Sequence, residues 1–133
     1  MLDVKIDDWK QILDLVKSKK ATQKCLVLTF KPENSRKAHE LSPHIFVSCL
    51  VKDRNDWNEI SKIVPAAVML AYVNKTTPGD VIKEMKSKGI SLVTDASEFT
   101  TNNGKQYSAE FYKAIDVNIL VTDLPIEVMR LIN

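Results

Sequence analysis

The chain has 133 residues, the length of one ordinary domain with a real core. Apolar residues make up 44% and charged residues 27%, which excludes disordered and collagen-like classes. The 19 Lys and Arg against 17 Asp and Glu leave a net charge of +2, too balanced for a nucleic-acid footprint or a polybasic membrane patch.

No apolar run approaches the roughly 18 residues of a membrane span. The opening MLDVKIDDWK has no basic leader followed by an apolar stretch, so no signal peptide is expected in it. The compartment stays open, because a leader on a missing portion would change it.

Leu2–Ile6 is the first strand candidate. Asp3 and Lys5 are two apart and share one face of it, while Leu2, Val4 and Ile6 take the other. Trp9, Ile12, Leu13 and Val16 then recur at helical spacing. Cys25–Phe30 is the second strand, and Pro32 opens a helix over Glu33–Leu41. Ile45–Val51 is the third strand, with His39 and His44 ahead of it as surface residues. Cys25 and Cys49 fall inside apolar runs and read as small buried hydrophobes. Trp57, Ile60 and Val64 form the next helical stripe, followed by a fourth strand over Ala67–Val73. Thr77-Pro78-Gly79-Asp80 predicts an N-cap with proline at the first helical position, and Gly89 predicts that helix's end. Ser91–Asp95 is the fifth strand, and Tyr107, Phe111, Ala114 and Ile115 predict a further helix. Asn118–Asp123 is the sixth strand, and Pro125 opens the last helix.

Strand candidates start roughly 20–27 residues apart, the length of a βα unit. Six such units fit two architectures: an open doubly wound parallel sheet, or part of a (β/α)8 barrel. Both place function at the C-terminal ends of strands. The polar residues there are Asp3, Lys5, Thr29, Asn74, Lys75, Thr94, Asp95, Thr122 and Asp123. An inward-facing Asp3 suits a hard cation, and Lys5 suits the charge of a phosphate. The alternative is a terminal edge strand whose charges face solvent. The patterns GxSxG, GxxxxGK and GxGxxG are all absent.

Three stretches carry a family likeness. Leu28-Thr29-Phe30-Lys31-Pro32-Glu33, followed by Leu41-Ser42-Pro43 and Val47–Leu50, resembles the "SSF-D-P … L-x-P … L" stretch of glycerophosphodiester phosphodiesterases. Leu2-Asp3-Val4-Lys5 resembles that family's "E-L-K" strand, with aspartate for glutamate. Ile119-Leu120-Val121-Thr122-Asp123-Leu124-Pro125 resembles its final "I-I-T-D-x-P" strand. Leu92-Val93-Thr94-Asp95-Ala96-Ser97 corresponds to a "W-T-V-N" strand without the aromatic residue.

The resemblance implies a partial (β/α)8 TIM barrel, read from its third strand to its last helix. It implies an enzyme that hydrolyses a small glycerophosphodiester to an alcohol and glycerol phosphate, with Ca2+ or Mg2+. Asp3 takes the metal-ligand position and Lys5 the catalytic position facing phosphate charge. Thr29, Phe30, Asp95 and Asp123 take substrate-lining positions. The family's remaining metal carboxylates and its acid–base histidines belong to two earlier βα units, so the chain alone is expected to be inactive. A non-catalytic scaffold domain derived from the same barrel is the alternative. Six of eight strands leave two edges, Leu2–Ile6 and Asn118–Asp123. These edges are expected to be covered by a missing barrel half or a second copy.

Overall fold

The computed structural model describes residues 1–4, 8–96, 100–101, 106–107 and 116–132. Six short strands alternate with helices along it. They are β1 (Leu2–Asp3), β2 (Leu26–Thr29), β3 (Phe46–Leu50), β4 (Met69–Tyr72), β5 (Ser91–Asp95) and β8 (Ile119–Val121). The helices are α1 (Trp9–Ser18), α2 (Pro32–Leu41), α3 (Arg54–Ile63), α4 (Gly79–Ser87) and α5 (Pro125–Ile132). A two-residue hairpin, β6 (Thr100–Thr101) with β7 (Gln106–Tyr107), forms a separate small sheet.

All neighbouring strands of the main sheet run parallel, in the order β1-β2-β3-β4-β5-β8. Spatial order equals chain order and never reverses. Right-handed crossovers then place α1 to α4 on the same face of the sheet. The doubly wound alternative needs a reversal, and there is none. The packing agrees: α1 lies on α2, and α2 on α3. The architecture is six consecutive units of a (β/α)8 barrel, curled but open between β8 and β1.

The core lies between sheet and helices. Trp9, Leu13 and Val16 of α1 are buried there, with Ile12 half-buried beside them. Trp57 and Ile60 of α3, and Val81, Ile82 and Met85 of α4, continue the layer over Val27, Val47, Ala71 and Leu92. Large buried side chains of this kind contribute about 2–3 kcal/mol each.

The helix ends follow their local chemistry. The Asp8 carboxylate accepts from the Gln11 N–H at the start of α1, and Asp53 accepts from Asn55 and Asp56 at the start of α3. Gly89 closes α4 with φ +73°, its N–H on the Lys86 carbonyl and the next N–H on Met85. Thr77 is not the N-cap of α4, which starts one residue later, at Gly79 after an extended Pro78. The Thr77 hydroxyl is drawn away by a donation to the Val51 carbonyl at 2.7 Å.

The helical pattern at Tyr107, Phe111, Ala114 and Ile115 does not hold at its first member. Tyr107 pairs with Thr100 in the antiparallel hairpin. Positions 111, 114 and 115 lie outside the described residues.

Candidate functional site

Strand register decides which side chains face the barrel interior. Neighbours in a parallel sheet share a face. Thr29, Cys49, Ala71 and Leu92 are level, and the last three belong to the helix-side core. The inner face therefore carries the alternate set. Asp3, Leu28, Ser48, Leu70 and Ser91 form one level of it, and Leu50, Tyr72, Val93 and Ile119 a higher one.

Asp3 lies on the inner face and is exposed. Phe30 follows β2 at its C-terminal end and is 49% exposed. Asp95 ends β5 on the same face as Val93, level with Val121, and is half-buried. Asp123 lies two residues past β8 and is exposed, beside a turn in which the Thr122 hydroxyl accepts from the Leu124 N–H. The register thus brings Asp3 and Asp95 to one face, with Phe30 just past the end of β2 and Asp123 just past the end of β8. Lys5 lies outside the described residues.

Thr29 does not share that face. Its hydroxyl is buried, 2.6 Å from the Ser35 hydroxyl on α2, and donates to the Ser48 carbonyl at 3.1 Å. Thr94 behaves alike, donating to the Val73 carbonyl at 2.7 Å. These hydroxyls tie strand ends to their neighbours. Asn74 is likewise spent on its own loop, its carbonyl oxygen accepting from the Thr76 N–H and hydroxyl.

Two inner-face residues were not singled out from the sequence. Tyr72 is half-buried, level with Leu50 and Val93. Ser48 is fully buried, and its Oγ has no hydrogen-bond partner among the described residues. Period-2 alternation marks both once the parity of one strand is known.

His44 is exposed ahead of β3. His39 is half-buried rather than on the surface, its Nδ1 covered and unpartnered among the described residues, because α2 is flanked by α1 and α3. Neither histidine is at the C-terminal rim, so acid–base chemistry there has no imidazole from this chain. Cys49 is buried, and burial pushes its thiol up, away from reactivity. Cys25 is only half-buried.

Among the described residues the most perturbed carboxylate lies elsewhere. Glu84 on α4 accepts from the Trp57 indole at 2.9 Å, from Lys88 at 2.9 Å and from Arg54. The Trp57 N–H, then Lys88 and Arg54, hold its carboxyl down to about 2. This cluster joins α3 to α4 and is structural.

A divalent cation of the Ca2+ or Mg2+ class needs six or more oxygen ligands in total. Among the described residues no group of three or more His, Cys, Asp or Glu is close enough to hold one. The described residues therefore do not fit such an ion by themselves. A cavity of about 420 Å³ opens at the opposite end of the barrel. Leu26, Phe46, Met69, Ser91 and Ile119 line it, each the first residue of its strand.

No family model matches the chain, and no curated protein sequence does. Among solved structures, the chain is similar to a glycerophosphoryl diester phosphodiesterase from Parabacteroides distasonis ATCC 8503, with a TM-score of 0.79 at 18% identity. The match covers 98% of this chain but 49% of that one, so the chain spans about half the length of the protein it resembles. At that identity the likeness establishes the fold, and the fold is that of a partial (β/α)8 barrel.

Proposed function

We propose that this chain forms the C-terminal six βα units of a glycerophosphodiester phosphodiesterase-like barrel, and that it is inactive without the remaining two. The observation that carries the reading is the near-complete overlap of the chain with half of a glycerophosphoryl diester phosphodiesterase, with Asp3 and Asp95 on the inner face. In this reading Asp3 is one carboxylate of a shared cation site, completed by donors outside the described residues. Lys5 neutralises phosphate charge, and Phe30, Asp95 and Asp123 line the substrate. Thr29 supports Phe30 by anchoring the end of β2 and does not touch substrate.

The test is choline release from glycerophosphocholine with added Ca2+ or Mg2+. The chain alone is expected to show none above buffer. Robust turnover that is lost in Asp3→Ala or Lys5→Ala overturns the claim that further units are required. A second reading is a non-catalytic scaffold derived from the same barrel, which shares the position of both histidines off the rim. Failure to restore turnover when the barrel is completed supports that reading.

A further inference from the structure

The two mouths of the sheet differ in charge. Four segments lead from helices into strand starts: 19–25 into β2, 42–45 into β3, 64–68 into β4 and 88–90 into β5. They carry Lys19, Lys20, Lys24, His44 and Lys88 and not one Asp or Glu. Lys88 reaches back to Glu84 at 2.9 Å. Among the described residues Lys19, Lys20, Lys24 and His44 have no carboxylate partner. The carboxylates that end or follow strands, Asp3, Asp53, Asp95 and Asp123, belong to the opposite mouth. A net charge of only +2 therefore conceals a basic end.

Two hollows meet at this end. The cavity of about 420 Å³ is walled by Leu26, Phe46, Leu70 and Ile119 of the inner face, with Ala67 from the segment before β4. Beside it, a hollow of about 350 Å³ is lined by Lys20, Thr22, Gln23, Lys24 and His44. Gln23 and Lys24 line both, so an apolar well and a basic hollow share one wall. Leu26 and Phe46 are only half-buried and Ile119 is exposed, so the well holds apolar surface in contact with water. Neither β1 nor the C-terminal rim contributes a residue to either hollow.

The pairing of these hollows selects a ligand. An aliphatic wall gives nothing to a bare ion, whose burial there without a partner is costly. A cluster of unpaired lysines repels a cation. The well is at the small end of ligand sites, roughly 300–1,000 Å³, and at roughly 30 Å³ per water-sized group it takes about fourteen non-hydrogen atoms. We propose that the N-terminal mouth binds an anionic amphiphile, an alkyl or acyl chain of about ten carbons that ends in a phosphate or carboxylate. The chain lies in the well against Leu26, Phe46 and Leu70, and the head group sits at Lys20, Lys24 and His44. The site goes beyond the phosphodiesterase reading and does not rest on it, because it lies at the opposite mouth from Asp3 and Asp95.

The test is calorimetric titration of the full chain with decyl phosphate and with decanoate, each below its micelle concentration. Hexyl phosphate, inorganic phosphate and decyltrimethylammonium are the controls. Both ten-carbon anions are expected to bind. Decyl phosphate should bind about tenfold or more tightly than hexyl phosphate, since each buried methylene is worth up to about fourfold. Tighter binding of decyl phosphate assigns a phosphate ester as the head group, and equal or tighter binding of decanoate assigns a fatty acid; both uphold the site. Cys25 lines the well and is half-buried, so its alkylation by iodoacetamide should slow about fivefold or more under saturating ligand. Lys20→Glu with Lys24→Glu should weaken both anions about tenfold or more and leave the urea midpoint unchanged. Ala67→Trp adds bulk at an exposed lining position and should block both. The proposal is overturned if neither anion binds, or if decyltrimethylammonium binds as tightly as they do. It is also overturned if inorganic phosphate matches decyl phosphate, or if Cys25 reacts at an unchanged rate. None of these results depends on choline release, so the catalytic reading stands or falls separately.

Discussion

Replacing Thr29 by valine separates two roles for one residue. Valine keeps the branched shape and removes the hydroxyl. That hydroxyl is 1% exposed with its residue, and it bonds both the Ser35 hydroxyl and the Ser48 carbonyl. Without it, Ser35 Oγ retains only a long 3.4 Å contact to the Lys31 carbonyl. A buried neutral hydrogen bond is worth about 1 kcal/mol net, and a stranded buried polar group costs about 1–3 kcal/mol. Two bonds lost and one hydroxyl stranded give an expected destabilisation of about 2–3 kcal/mol. Urea denaturation slopes for small proteins are about 1–3 kcal/mol per molar, so the midpoint is expected to fall by about 1 M. Thr29→Ser keeps the hydroxyl and loses one methyl, for about 1 kcal/mol. If valine and serine reverse that order, or valine leaves the midpoint unchanged, the hydroxyl is not buried in these bonds. The Thr29 side chain is then available to the inner face as the family likeness implies.

Three further outcomes are expected. Glu84 titrates at about 2 in the fold against an ordinary 4.5, so its stabilising charge is fully present above pH 4.5 and is lost as pH falls toward 2. Glu84→Gln should flatten that acid-side slope in urea midpoints and alter Trp57 fluorescence, and an unchanged slope rejects the Trp57–Glu84 contact as its source. On α1, Leu13→Ala should cost about 2–5 kcal/mol while Leu15→Ala stays within about 0.5 kcal/mol in the isolated chain, since only Leu13 is buried. Equal costs in calorimetry would mean that α1 docks by a different face. Gly89→Ala should cost about 1–2 kcal/mol through its positive φ alone, because an added Cβ meets nothing within 4 Å. Gly89→Asn should recover part of that, and a neutral alanine variant would show that the α4 terminus relaxes.

The strands were legible because a parallel sheet covered on both faces writes itself as unbroken apolar runs, as in FVSCL and MLAY. The same continuity hid their parity. In Leu26-Val27-Leu28-Thr29-Phe30 nothing local says whether Thr29 or Phe30 looks inward. Only the register, tying Thr29 to Cys49 and the helix-side core, decides it. Asp3 and Lys5 posed the same question at a strand with one neighbour, and pairing with Leu28 answers it for Asp3. The helix pattern at Tyr107 failed for another reason. Tyr107 is paired with Thr100 in an antiparallel ladder, and an apolar spacing that short fits either period. Apolar spacing also cannot show which stripe stays uncovered. On α1 the spacing marks Trp9, Ile12, Leu13 and Val16 as one stripe and leaves Leu15 outside it, yet Ile12 is only half-buried while Trp9, Leu13 and Val16 are buried. How far each edge of that stripe is covered is set by the helices that flank α1, of which α2 is one, and not by the spacing itself.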